Sequence, residues 1–234
     1  MYDLGIIGGM GPESTDELLR RIIAFTDAKC DQDHISICIL NIPQTPDRSN
    51  AILHGGPSPL PFLRKAVDDL ISLNVKRYII ACNTAHYFAR ELRDERIEFI
   101  DIIASAAQFI KDHNINPIAL FGTAGGLKVY EQVFLSEGIT LLPYEDRIRA
   151  EITDIIYDIK QTGANRNHGR RMKLILEHFC SDQIKTYFLL GCTELSLLKP
   201  YIVNDFAIID ALDIAAISAI KKCGYKLKDS INLL

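Results

Sequence analysis

The sequence predicts an α/β protein built from two similar Rossmann-like domains, each with a parallel sheet, facing one another across a cleft. Three observations predict it. Short continuous apolar runs alternate with segments of helical periodicity, as expected of a parallel sheet covered by helices on both faces. A glycine-rich turn follows the first strand of each half, at Gly8-Gly9 and again at Gly122. A cysteine then ends a later strand, so that Gly8 and Gly122 lie 114 residues apart and Cys82 and Cys192 lie 110 apart. Self-similarity at a near-constant offset marks an internal repeat.

The elements follow in order. Residues 4–7 are a short apolar strand, Gly8 to Pro12 a turn, and residues 13–27 a helix carrying Leu18, Leu19, Ile22, Ile23 and Phe25 at helical spacing. Residues 35–40 form a second strand, residues 57–73 a helix with the stripe Phe62, Leu63, Ala66 and Leu70, and residues 78–81 a third strand. A break falls near 105–117. The second half opens with a strand at 118–121, a loop through Gly125 and Gly126 and a helix from Leu127, and its late strand at 187–190 runs into Gly191-Cys192. The expected division is therefore 1–105 and 106–209, with a C-terminal helix in the stretch 210–234, centred on 214–222, packing back on the first domain.

Composition narrows the function. With 234 residues, 48% hydrophobic and 24% charged, the chain has the proportions of a packed globular protein and not of a disordered one. A net charge of −4 offers no general attraction to phosphate backbones, so nucleic acid is not an expected partner. No apolar run approaches the roughly 18 residues needed to cross a bilayer, and the first residues lack the basic and apolar regions of an export signal. A cytoplasmic protein with no membrane partner is expected. The six cysteines show neither dense spacing nor a CxxC pair, which reads as reduced thiols without a metal site.

The turn Gly8-Gly9-Met10-Gly11-Pro12 superficially suggests a dinucleotide fingerprint, but Ser14 stands where a third glycine or alanine belongs and Pro12 removes a donor at the helix start. It reads either as a tight strand-to-helix turn or as backbone amides receiving a small carboxylate. Ala81-Cys82-Asn83-Thr84-Ala85-His86 and Gly191-Cys192-Thr193-Glu194 each place a thiol where a buried strand ends, followed by a polar residue able to cap a helix. In open parallel sheets ligands bind beyond the carboxyl ends of the strands, so facing halves bring both thiols to one ligand. Two opposed thiols suit inversion of a stereocentre, which needs a base on one face and an acid on the other. A thiol near its ordinary pKa of about 8.5, lowered by a helix N-terminus, can be either. Arg48, between Pro46 and a polar run, offers a planar fork for a carboxylate, and Lys160 is a candidate second cation. His86 is either catalytic or a satisfied structural histidine; the basic stretch Arg166, His168, Arg170, Arg171 and Lys173 reads as an exposed helix start.

Together these motifs, with Pro43-Gln44-Thr45-Pro46-Asp47-Arg48, resemble the aspartate/glutamate racemase family of cofactor-independent amino-acid racemases, on the side of its aspartate racemases, over nearly the whole chain. The resemblance implies two pseudo-symmetric domains, a homodimer, and no cofactor or metal. It implies that Cys82 and Cys192 are the catalytic thiols, that Asn83, Thr84 and Thr193 hold the α-carboxylate or line the site, and that Met10 reaches the cleft from the glycine turn. Arg48 is implied as the cation for the distal carboxylate, with Lys160 as its helper, and Thr123 as a hydroxyl of the second turn. Gly125 and Gly126 depart from the family there, where a further threonine is common.

The expected function is cofactor-independent interconversion of L- and D-aspartate by a two-thiol mechanism, with a small acidic amino acid as partner. Glutamate or broad-specificity racemisation, maleate-type isomerisation by one cysteine, and a non-catalytic dicarboxylate-binding protein are the alternatives.

Overall fold

A computed structural model describes residues 2–180, 186–202, 206–231 and 233. The first sheet and its helices run β1 (Leu4–Gly8), α1 (Pro12–Phe25), β2 (Ile37–Asn41), α2 (Arg48–His54), α3 (Leu60–Ser72), β3 (Arg77–Ile80), α4 (Ala89–Leu92), β4 (Glu98–Ile100) and α5 (Ile102–Asp112). The second runs β5 (Ala119–Phe121), α6 (Ala124–Ser136), α7 (Asp146–Thr162), α8 (Arg166–Phe179), β6 (Tyr187–Leu190), α9 (Thr193–Ser196), α10 (Lys199–Ile202), β7 (Ala207–Asp210) and α11 (Ala211–Lys222). Short 3-10 turns lie at Asp31–Asp33 and Thr84–Phe88.

The strand orders are β2-β1-β3-β4 and β5-β6-β7, and every pairing within them is parallel. Ile7 lies opposite both Leu40 and Ile80, and Leu190 opposite both Phe121 and Asp210. The carboxyl ends of neighbouring strands are thus level, and the chain leaves each sheet toward the same edge.

Because successive strand residues face opposite sides, each sheet feeds two cores. Leu4, Ile6 and Ile79 from the first sheet join Leu120, Leu189 and Ile209 from the second in one continuous cluster that includes α5 and α11. Ile7, Tyr78 and Ile80 pack on the other side against α3, and Phe121, Phe188 and Leu190 against α7 and α8. The shared cluster fixes the two sheets relative to one another. Helix α11 lies against α1 and α5, and α5 runs through the expected 105/106 break.

The expected helices and strands stand within a few residues of their observed bounds, with one physical exception. The helix expected from Leu127 begins at Ala124, so Gly125 and Gly126 lie in its first turn and not in a loop. Thr123 caps it by accepting from the Gly126 N–H at 3.2 Å. A Cβ on Gly125 would stand 2.8 Å from Ser49 Oγ and 3.0 Å from Ser49 Cα, so glycine is what lets α6 press against α2.

Candidate active site

The two cysteines occupy equivalent places. β3 ends at Ile80, the Ala81 N–H still donates to Ile7, and the Cys82 N–H turns back to the Ile80 carbonyl at 2.8 Å. β6 ends at Leu190, and the Gly191 N–H donates to Phe121 at 2.8 Å. Gly191 is required by space: a Cβ there would lie 2.6 Å from Leu120 Cδ1 and 3.0 Å from Tyr130 Cε2. Each strand end thereby delivers a buried sulfur to the same cavity.

His86 is structural. Its Nδ1 lies 2.9 Å from the Cys82 carbonyl and its Nε2 accepts from the Ile102 N–H at 3.1 Å, so the neutral ring donates to one side and accepts on the other. It ties the Cys82 turn to the start of α5. Burial pushes its pKa down, which matches the neutral form.

Neither polar neighbour of the thiols caps a helix through its side chain, contrary to expectation. Asn83 has helical backbone angles and makes no cap bond, and Thr193 is already the first residue of the four-residue α9. The Asn83 side chain is buried with neither its oxygen nor its nitrogen hydrogen-bonded. Thr84 and Thr123 share a hydrogen bond at 3.1 Å, and Ser49 donates to Thr123 at 3.2 Å, so hydroxyls from both halves meet here.

The glycine turn is shaped by close contacts. Gly9 has φ of +90°, and a Cβ on it would lie 2.4 Å from the Ile42 nitrogen. Its amide donates to Thr15 Oγ1 at 2.9 Å, while the Gly11 amide donates to Glu194 Oε1 at 3.2 Å. The turn therefore does receive a carboxylate, and it is one of the protein's own. The carbonyl of Met10, at its apex, accepts from Arg48 Nη2 at 3.0 Å and from Lys160 Nζ at 3.3 Å.

Both cations lie among the protein's own acceptors. Arg48 is 9% exposed; its Nη1 donates to the Thr45 and Pro46 carbonyls, and its buried Nε has no partner. Burial alone would lower its pKa, but the adjoining Cys82 sulfur and Asp47 carboxylate outweigh that and raise it. Lys160 is likewise raised against the pull of burial, chiefly by Glu194, whose Oε1 is 2.5 Å from Nζ. Glu194 in turn is held below its ordinary pKa despite full burial, by Lys160 and by the Cys192 thiol.

The Cys192 thiol is pushed well above its ordinary pKa by burial and then by the Glu194 charge. This corrects the expectation that a helix N-terminus lowers it. One turn of helix carries little dipole, and a carboxylate oxygen lies 3.0 Å from the sulfur.

Cys82, Cys192, Asn83, Thr84 and Thr193, together with Met10, Arg48, Thr123 and Lys160, line one cavity. The structure thus brings every sequence-predicted site residue together. Asp47, Ser49, Tyr157 and Glu194 complete the lining without having been singled out in the sequence. For Glu194 the signal was its place in Gly191-Cys192-Thr193-Glu194; the others carry no local mark. Among the described residues, no group of three or more His, Cys, Asp or Glu side chains is arranged to hold a metal ion, and no helix is long and apolar enough to cross a membrane.

A family model described as Asp/Glu/hydantoin racemase matches residues 7–219. The chain belongs to this racemase family. Among solved structures, the racemase fold seen here superimposes on an aspartate racemase from Picrophilus torridus with a TM-score of 0.86 and 25% identity, covering 96% of this chain and 95% of that one. A glutamate racemase, isoform RacE1 of Bacillus anthracis, matches with a TM-score of 0.60 and 20% identity over 95% of this chain and 83% of its own. A broad-specificity amino-acid racemase, RacX of Bacillus subtilis, is 23% identical over 89% of this chain and 92% of its own length. This racemase is an isomerase by reaction class, and its cavity lies where the parallel strands of both sheets end.

Proposed function

We propose that the protein racemises a small acidic amino acid, aspartate foremost, without a cofactor, using Cys82 and Cys192 as the two proton carriers. One sulfur, as thiolate, takes the α-proton, and the electron pair of that C–H bond passes to a carbanion delocalised into the α-carboxylate. The other sulfur, as thiol, gives its proton to the opposite face, and the new C–H bond forms with inverted configuration. The α-proton is only weakly acidic, so donors aimed at the developing charge carry much of the catalysis. The Asn83 amide, with Thr84 and Thr193 beside it, is suited to the α-carboxylate, and Arg48 with Lys160 to the distal one.

The observation that carries this reading is the set of unsatisfied groups beside the two thiols. Asn83 keeps both polar atoms of its side chain free, and Arg48 keeps its Nε free, in a place where burial without a partner costs about 1–3 kcal/mol per group. An anion with two carboxylates answers both. Proton NMR in deuterium oxide tests it: L-aspartate should lose its α-proton signal as D-aspartate appears by chiral chromatography, and Cys82→Ala and Cys192→Ala should each abolish racemisation. Absence of exchange from aspartate and glutamate would overturn the assignment.

A wider substrate range is the second reading, supported by the likeness to RacX. It predicts comparable turnover of neutral amino acids, which the same assay reads.

A further inference from the structure

The carboxylate of Glu194 stands between a sulfur and an ammonium group. Its Oε2 accepts from the Cys192 thiol at 3.0 Å and from Thr193 Oγ1 at 3.4 Å. Its Oε1 accepts from Lys160 at 2.5 Å and from the Gly11 amide at 3.2 Å. Four donors from three separate parts of the chain thus fix both oxygens, and the residue is 3% exposed. Cys82 is differently placed. Among the described residues no carboxylate accepts from it, and its sulfur adjoins the Arg48 guanidinium.

We propose that Glu194 is a positioning residue that makes the two thiols unequal before substrate arrives: it accepts a hydrogen bond from Cys192, so that Cys192 enters the cycle as the acid and Cys82, beside Arg48, as the base. The proposal rests on the two-thiol reading above and assigns the resting role of each member. The charged and titratable groups around Cys192 agree with it. Glu194 on α9 opposes a thiolate, and Lys160 on α7 favours one but sits on the far oxygen of Glu194. Tyr130 on α6 is buried, with its own pKa pushed up, so it stays neutral. Cys82 across the cavity adds a like charge whenever it is the thiolate.

The proton balance gives the proposal a consequence. When Cys82 has taken an α-proton and Cys192 has given one, Cys192 is left as a thiolate against the Glu194 carboxylate. That form is the less stable one, and it relaxes when a proton passes from Cys82 or solvent to Cys192. The enantiomers are equally stable, so the ratio of kcat/KM in the two directions is fixed by equilibrium and cannot report the asymmetry. The free enzyme reports it instead.

The test is alkylation of each cysteine by iodoacetamide as a function of pH, read separately by peptide mass spectrometry in the full-length protein. The midpoint of each profile follows the thiol and not its steric access. In the wild type the Cys192 midpoint should lie at least about one pH unit above the ordinary thiol value, a tenfold loss of thiolate. Glu194→Gln removes the opposing charge and frees Lys160, so the Cys192 midpoint should fall and its alkylation near neutral pH should rise about tenfold or more, with the Cys82 profile in place. Glu194→Asp, which keeps the charge, should return the Cys192 midpoint most of the way to its wild-type position. A Cys192 midpoint at the ordinary thiol value in the wild type, an unmoved Cys192 profile in Glu194→Gln, or a joint shift of both thiols would overturn the proposal. Alkylation needs no turnover, so this result stands apart from whether aspartate is racemised.

Discussion

Arg48 shows how one side chain can brace the fold and still hold a donor in reserve. Two of its nitrogens hold carbonyls of its own loop and of the glycine turn, and the third is left free. Replacing it with Leu removes the charge proposed to face a distal carboxylate, and a hydrogen bond to a charged group contributes about 1.5–3 kcal/mol. Arg48→Leu should therefore lower kcat/KM for aspartate by about 10- to 100-fold, with a much smaller loss for a neutral amino acid where one is turned over. Equal losses on both, in a steady-state assay, would remove the distal-carboxylate role. At this scale the sequence was most informative where a residue sits on a repeated landmark. Cys82, Cys192 and their neighbours are legible because strand ends recur at a near-constant offset. Glu194 is visible as a letter, but its role depends on Lys160 and Gly11, which lie 34 and 183 residues away along the chain, and no local pattern encodes such a meeting.

Two elements are held by polar contacts that the apolar pattern does not announce. His86 joins the Cys82 turn to α5 as a neutral ring, and its pKa is depressed from 6.5 by burial. The unfolded chain thus binds a proton more readily than the folded one, so stability contributed at neutral pH is lost as pH falls below about 6.5. Urea titrations at two pH values should show this loss in the wild type and a reduced pH dependence in His86→Gln; equal slopes would exclude the histidine as its source. Within α1, Arg21 donates to Glu17 and, outside the helix, to Asp210, Asp213 and the Ser196 carbonyl, while Lys199 pairs with Asp213. Arg21→Met strands buried carboxylates and should destabilise by about 3–5 kcal/mol, measured as a fall in the urea midpoint. The amphipathic helix α3 was legible from its periodicity and β1 from its continuous apolar run ahead of a glycine turn. The three-residue β4 and the four-residue β7 were not: the equally short β3, β5 and β6 run into a cysteine or a glycine turn that marks their ends, and β4 and β7 run into neither.

The molecule as a whole is closed. The cavity that gathers both thiols has room for about 20 Å³, space for a single water molecule and not for an amino acid, so its rim has to widen before an amino acid fits, while the apolar cluster shared by the two sheets stays packed. At that rim the contacts across the cavity are small and polar: Ser49 to Thr123, Thr84 to Thr123, and Tyr157 to Asp47 at 3.5 Å. Closure also requires the bare backbone of α6 at Gly125, where an added Cβ meets Ser49 Oγ at 2.8 Å, its Cα at 3.0 Å and Thr84 Cγ2 at 3.1 Å. Gly125→Ala should wedge the cleft a little open. Alanine in a helix is favoured over glycine by about 0.5–1 kcal/mol, so weakening of α6 would not explain a loss of activity. A displacement near 1 Å at the reacting groups costs about 100-fold in rate, and kcat should fall by up to that amount while the thermal midpoint holds or rises. Adding Ser49→Gly to Gly125→Ala withdraws the nearest obstructing oxygen and should return part of the lost kcat. Full activity in Gly125→Ala would mean that the closed arrangement is not the one in which the proton moves.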